Sequence, residues 1–160
     1  MEEHHNHNHK TVTSDVLVVG AGIAGISTAL EIAETGFTAS LIEKQPFIGG
    51  RVARTNKYFP KLCPPQCGLE VNYKRLKSNK NTELFTMAEV VDIKGEKGDF
   101  KVQVKIKPRY IKEDALDGDL ETCSQECGVE ISNEFNLGLD TTMALHKPFN
   151  NAFPPHYEIG

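Results

Sequence analysis

The chain has 160 residues, 39% of them apolar and 25% charged, enough for one packed domain or part of a larger one. Its net charge of −4 offers no basic face for nucleic acid, and no apolar run reaches the roughly 20 residues of a membrane span. The N-terminus is rich in Glu and His rather than basic and then apolar, so no secretory signal is read and the cytoplasm is the expected compartment.

In chain order, "MEEHHNHNHK" carries His4, His5, His7 and His9 without any apolar pattern. Metal binding is one reading of these histidines. A disordered or tag-like tail over 1–13 is the preferred one, because nothing there fixes a ligand geometry. Val16 to Val19 form a continuous apolar run, as in a strand buried on both faces of a parallel sheet. A helix is predicted from Ile23 to Thr35, with Ile26, Ala29, Leu30, Ile32 and Ala33 on its apolar face and Gly36 as its stop. A second strand follows at 38–43, completing β-α-β. From Leu84 the reading is a short strand and then a hairpin, with Phe100, Val102, Val104 and Ile106 alternating and Gly95 and Gly98 at the turn. From Pro108 onward the chain is polar, and its apolar content looks too thin for a core of its own.

Gly20, Gly22 and Gly25 spell G-x-G-x-x-G at the junction of predicted strand and predicted helix, the context that gives the motif weight. Gly20 allows the tight turn, Gly22 lets backbone approach a pyrophosphate, and Gly25 lets helix and strand pack closely. The amides of the helix start, at Ile23 and Ala24, face the phosphates with the positive end of the dipole. Glu43 closes the second strand 18 residues after Gly25, where a carboxylate accepts ribose hydroxyls and repels a 2′-phosphate. The bland alternative is a glycine turn in some other α/β protein, and the register of glycines, strand, helix and acid disfavours it.

The next residues, "EKQPFIGGR", place Gly49, Gly50 and Arg51 shortly after the acid. Over residues 15–52 this resembles the extended fingerprint of FAD-dependent flavoproteins with two dinucleotide domains, which implies FAD as the cofactor. The implied binding set is Gly20, Gly22, Ile23, Ala24, Gly25, Glu43, Lys44, Gly49, Gly50 and Arg51, with Arg51 offering a fixed positive charge. No residue is a convincing general acid or base; Lys44 and His146 are read as solvated surface groups.

Four cysteines remain, as Cys63-x-x-x-Cys67 and Cys123-x-x-x-Cys127. Without an export signal a disulfide framework is disfavoured. Four thiolates suit an iron–sulfur cluster or structural zinc. A redox dithiol at Cys63 and Cys67 ranks second, since Pro64 and Pro65 oppose a helix through Cys63. Unused thiols rank third.

The stretches "GGRVARTNKYFPKLCPPQCGLEVNYKRLKSN", "KVQVKIKPRYI" and "CGVEISNEFNLGLDTTMALHKPF" together resemble the A-type subunit of heterodisulfide reductase. They also resemble its relatives in quinone-interacting oxidoreductase and sulfur-oxidising complexes. The resemblance runs from about residue 15 to the C-terminus. It implies an α/β fold, incomplete relative to a full flavoprotein, with a Rossmann-like FAD-binding region that includes the cysteine loop and the hairpin over 14–107, followed by an irregular iron–sulfur-type segment over 108–160. It further implies electron transfer between flavin and cluster, beside the other subunits of such a complex. Where many relatives have a dense four-cysteine run, this chain has only Cys123 and Cys127. One cluster, of the 4Fe–4S type, held by Cys63, Cys67, Cys123 and Cys127 is the simplest arithmetic. The chain stops where a full flavoprotein would return to finish its nucleotide sheet, so the expectation is either weak FAD binding or binding once a second polypeptide completes the site. The rival readings are a truncated, non-catalytic nucleotide-binding or interaction module and a flavin-linked dithiol reductase.

Overall fold

A computed structural model describes residues 10–111 and 117–160. The four histidines at 4, 5, 7 and 9 lie outside the described residues. Strand β1 (Val16–Val19) runs parallel to β2 (Ala39–Ile42), and β2 runs parallel to β3 (Thr82–Phe85). The order is β1-β2-β3, so β2 is central, and its four residues are all buried. Helix α1 (Ile23–Glu34) bridges β1 and β2 and turns Ile26, Ala29, Leu30 and Ala33 inward. That is the apolar face expected from the sequence, and the helix stops one residue before the expected end. Among the described residues no helix is long and apolar enough to cross a membrane.

The short helix α2 (Gly50–Ala53) and the longer α3 (Gln66–Ser78) follow. The sequence reading contains no helix at 66–78. Its buried positions, Leu69, Tyr73 and Leu76, nonetheless fall on one helical face. Pro65 is its N-cap, where a missing backbone N–H is harmless. The prolines thus keep Cys63 outside a helix, as expected, but they start one that contains Cys67. Residues Ile26, Leu30, Leu41, Ile48 and Leu69 are the largest side chains wholly withdrawn from water. Each contributes about 1.5–3 kcal/mol by burial.

Strands β4 (Ala88–Glu96) and β5 (Asp99–Ile106) form the expected antiparallel hairpin, with a bulge between Val90 and Asp92. The region read as irregular holds more order than its composition suggests. Helix α4 (Asp117–Glu126) leads to two small antiparallel ladders. One pairs β6 (Glu130–Ser132) with β7 (Thr141–Met143), the other β8 (Leu145–His146) with β9 (Glu158–Ile159). Phe149 and Phe153 from this segment pack against the main core. Phe47 meets both Phe135 and Phe149 edge-on, at 5.6 and 5.2 Å between ring centroids. The segment is thus held by aromatic docking on the nucleotide half.

Candidate functional site

The glycine loop sits between the end of β1 and the start of α1. Gly20 has a left-handed backbone (φ +95°) and donates to the Ile42 carbonyl at 2.7 Å, tying the turn to the neighbouring strand. The other two motif glycines differ in what surrounds them. A Cβ on Gly25 would lie 1.9 Å from the Gly20 carbonyl oxygen, so only glycine fits. A Cβ on Gly22 would meet nothing within 4 Å. One glycine is required by packing; the other leaves open space in front of a helix end. Gly22 caps α1 without any side-chain hydrogen bond, and no acid occupies the first turn around Ile23 and Ala24. The positive dipole end is therefore not neutralised from within its own helix.

Glu43 is 8% exposed and lies beneath this loop. Its Oε2 accepts the Ala21 amide at 2.8 Å and its Oε1 accepts the Gln45 amide at 2.9 Å. The sequence suggests a ribose acceptor. The structure adds a second job, in which the carboxylate locks the end of β2 to the glycine loop. A carboxylate has about four lone-pair sites, so two amides do not exhaust it. Lys44 is exposed, as expected, and so is Arg51.

Gly49 and Gly50 lie directly against the glycine loop. Gly49 donates to the Ala21 carbonyl at 2.8 Å and forms a parallel bridge with Gly22. A Cβ on Gly50 would stand 3.1 Å from the Gly22 Cα. From behind, the Tyr73 hydroxyl of α3 donates to the Ile48 carbonyl at 2.9 Å. Burial pushes that phenol up to about 12, so it keeps the proton it donates. Neither of the residues that hold Ile48 beside this loop, Tyr73 through its hydroxyl and Phe153 through its carbonyl, stands out in the sequence. The only signal there is the spacing of Leu69, Tyr73 and Leu76.

An open cleft of about 400 Å³ extends from the glycine loop toward the first cysteine pair, lined by Ile23, Val52, Tyr58, Pro65, Leu69 and Asn72 among others. At its far side the chain turns tightly. The Leu62 amide donates to the Tyr58 carbonyl at 2.8 Å, and the Tyr58 amide donates to the Cys63 carbonyl at 3.3 Å. The Tyr58 ring stands next to the cysteine pair. The neighbouring Cys63 side chain above all, then burial and a smaller effect of Cys67, holds the Tyr58 phenol above its usual value.

All four cysteines are free; Cys63 and Cys127 are half-buried, Cys67 and Cys123 exposed. Cys67 lies in the first turn of α3, and Cys123 on α4. Among the described residues no three His, Cys, Asp or Glu side chains converge on one point. The expected four-thiolate set is therefore not assembled in this arrangement. His146, expected as a solvated group, is instead paired with Glu158 (Nε2 to Oε1, 3.3 Å), with both side chains less than a fifth exposed, at 15% and 19%. Glu158 raises its pKa above the ordinary histidine value.

Comparison with known proteins agrees with this geometry. Residues 18–89 match the family of NAD(P)-binding Rossmann-like domains. Over 148 residues, 92% of this chain and 22% of the relative, the sequence is 40% identical to an A-type iron-sulfur subunit of CoB–CoM heterodisulfide reductase from Methanopyrus kandleri. It is also 40% identical, over 88% of this chain and 18% of the relative, to the A-type subunit of the ferredoxin/F420H2-dependent CoB–CoM heterodisulfide reductase of Methanosarcina acetivorans. The fold resembles L-proline dehydrogenase from P. horikoshii, with a TM-score of 0.53 and 27% identity, over 59% of this chain and 19% of that one. The chain spans 18 to 22% of the length of these two reductase relatives and is homologous to these heterodisulfide reductase A-type subunits over nearly all of its own length.

Proposed function

We propose that the chain is the dinucleotide-holding part of an electron-transfer oxidoreductase subunit, with FAD as its cofactor, working beside the other subunits of a heterodisulfide-reductase-type complex. The observation that carries the reading is the open helix end at Gly22, with Glu43 locked beneath it and Gly49–Gly50 pressed against its flank. When bound, FAD would accept and release electrons one or two at a time. Gly22, Ile23, Ala24 and Gly25 would present amides and the helix dipole to its pyrophosphate. Glu43 would offer its remaining lone pairs to the ribose. Arg51 and Lys44 would supply positive charge at the rim. The cleft from Ile23 to Tyr58 gives the rest of the molecule a largely apolar wall, and it supports a cofactor longer than the ADP half alone.

The residues fit a dinucleotide. As placed, they do not fit a single cluster, so no electron step is derived through one. For the cysteines the proposal is limited to identity: Cys63, Cys67, Cys123 and Cys127 would be the thiolate ligands if the two pairs meet in the assembled complex. The name of the Methanopyrus relative, as an iron-sulfur protein, supports iron. Among the described residues β1 pairs only with β2, and that edge supports a further polypeptide strand completing the site. Its sequence reads as buried on both faces, yet Val19 is 63% exposed.

The test is titration of the purified chain with FAD, ADP and NAD by calorimetry. Saturable one-to-one binding of FAD and ADP is expected. If none of the three binds, the reading is overturned, and binding of NAD alone overturns FAD. Anaerobic reconstitution should yield iron bound in proportion to intact cysteines; zinc or no metal would remove the cluster from the account.

One observation favours the dithiol alternative, namely the grouping of Cys63 and Cys67 around Tyr58 at the cleft, apart from the second pair. On that reading Cys63→Ser abolishes thiol turnover while Cys123→Ser spares it. On the cluster reading both reduce bound iron alike.

A further inference from the structure

We infer that Tyr73 is a positioning residue of the dinucleotide site, which fixes the Gly49–Gly50 loop against the glycine loop by holding Ile48. The inference rests on the dinucleotide reading and adds to it a residue outside every nucleotide motif. Ile48 is wholly buried and gripped at both ends. Its carbonyl accepts the Tyr73 hydroxyl at 2.9 Å, and its amide donates to the Phe153 carbonyl at 2.9 Å. The Tyr73 and Phe153 rings stack on each other, with centroids 5.2 Å apart and planes 18° off parallel. The next residue, Gly49, holds a left-handed backbone (φ +110°), and a Cβ there would lie 2.8 Å from the Tyr73 oxygen and 3.0 Å from the Ala53 Cβ. The loop therefore has no room to relax toward α3. On its other side it meets Ala21 and Gly22, the wall of the proposed phosphate site.

Removing the hydroxyl leaves the buried Ile48 carbonyl without its donor, and the loop is then free to shift to recover one. Every shift that recovers a partner moves Gly49 and Gly50 relative to Gly22. Such slack weakens a ligand bound against Gly22 more than it weakens the fold. The same geometry makes the C-terminal segment part of the site, because Phe153 supplies both the second grip on Ile48 and the ring behind Tyr73.

The experiment compares ADP and FAD affinity with thermal stability for the full chain, Tyr73→Phe, Phe153→Leu and Leu76→Val. Leu76 is a buried core residue on the same helix whose aliphatic side chain makes no hydrogen bond, so it reports loss of packing alone. Tyr73→Phe keeps the ring and the stack. It is expected to weaken ADP and FAD by roughly tenfold. Leu76→Val is expected to lower the melting temperature and leave both affinities unchanged. Phe153→Leu is expected to fall between. If the parent chain binds both ligands and Tyr73→Phe binds them equally well, the positioning role is overturned while the dinucleotide reading stands. If affinity tracks melting temperature across all three variants, Tyr73 is only a core residue. If the parent chain binds neither ligand, the dinucleotide reading itself has failed.

Discussion

The nucleotide half and the C-terminal segment owe their order to different physics. Around β1, α1, β2 and β3 the core is continuous, with Ile26, Leu30 and Leu41 wholly buried and strand paired to strand through backbone hydrogen bonds. Beyond residue 117 the strands are two or three residues long, and Leu137 and Leu139 stand 77% and 80% exposed. That segment is held by what it touches: Phe135 and Phe149 on Phe47, Phe153 on Tyr73, and Arg54 reaching the Glu134 and Phe135 carbonyls at 2.8 and 3.1 Å. The half with its own core carries the proposed phosphate site. The docked segment braces that site from behind and carries the second cysteine pair.

The contrast breaks most severely at Gly25. Gly25→Ala drives a methyl into the Gly20 carbonyl and should destabilise the whole chain by about 3 kcal/mol in urea unfolding. Gly22→Ala, three residues away and facing open space, should change stability by no more than about 0.5 kcal/mol. Its effect should appear instead as weaker ADP binding. Equal destabilisation by the two would contradict the division of labour between these glycines.

Arg54→Ala tests the docking. It removes two hydrogen bonds from a charged donor and the guanidinium over the Phe135 ring, 5.4 Å from its centroid. A loss of about 2 kcal/mol is expected. Hydrogen exchange should quicken over 130–143 and stay slow over 16–42. Uniform quickening would mean that the two regions unfold as one.

The smallest effect belongs to His146 and Glu158. The folded pKa of His146 is raised, first by the bond to Glu158, so the pair's contribution is fully present below the ordinary value of 6.5. It is lost as pH rises through the raised folded value. Between pH 6 and pH 8 the parent chain should therefore lose about 1 kcal/mol or less that His146→Gln does not lose. Identical pH profiles would remove the pair from the docking account.

What was legible in the sequence follows the same divide. The β-α-β unit could be read because its information is local: an apolar run, three spaced glycines, a periodic helix and a strand-end acid. The place of Glu43 was legible, but its bonds to the Ala21 and Gln45 amides were not, since nothing in the spacing marks where a carboxylate oxygen turns. Helix α3 was hidden by its polar composition and by two prolines that look only like breakers, although Pro65 serves as its cap. The order of the C-terminal segment was illegible because its partners are remote; Arg54 and Phe135 are 81 positions apart. The cysteines show the limit of counting. Two pairs of identical spacing suggest one ligand set, and spacing alone carries no information on whether an exposed Cys67 and an exposed Cys123 face each other.

The central claim is that the open end of α1 at Gly22 holds a dinucleotide, and it is tested most directly by titrating ADP and FAD into the purified chain beside Gly22→Glu. Saturable binding to the parent chain, abolished when a carboxylate is placed against the phosphate position while the melting temperature is kept, is the expected result. Binding that survives Gly22→Glu unchanged would place the ligand elsewhere and contradict the account.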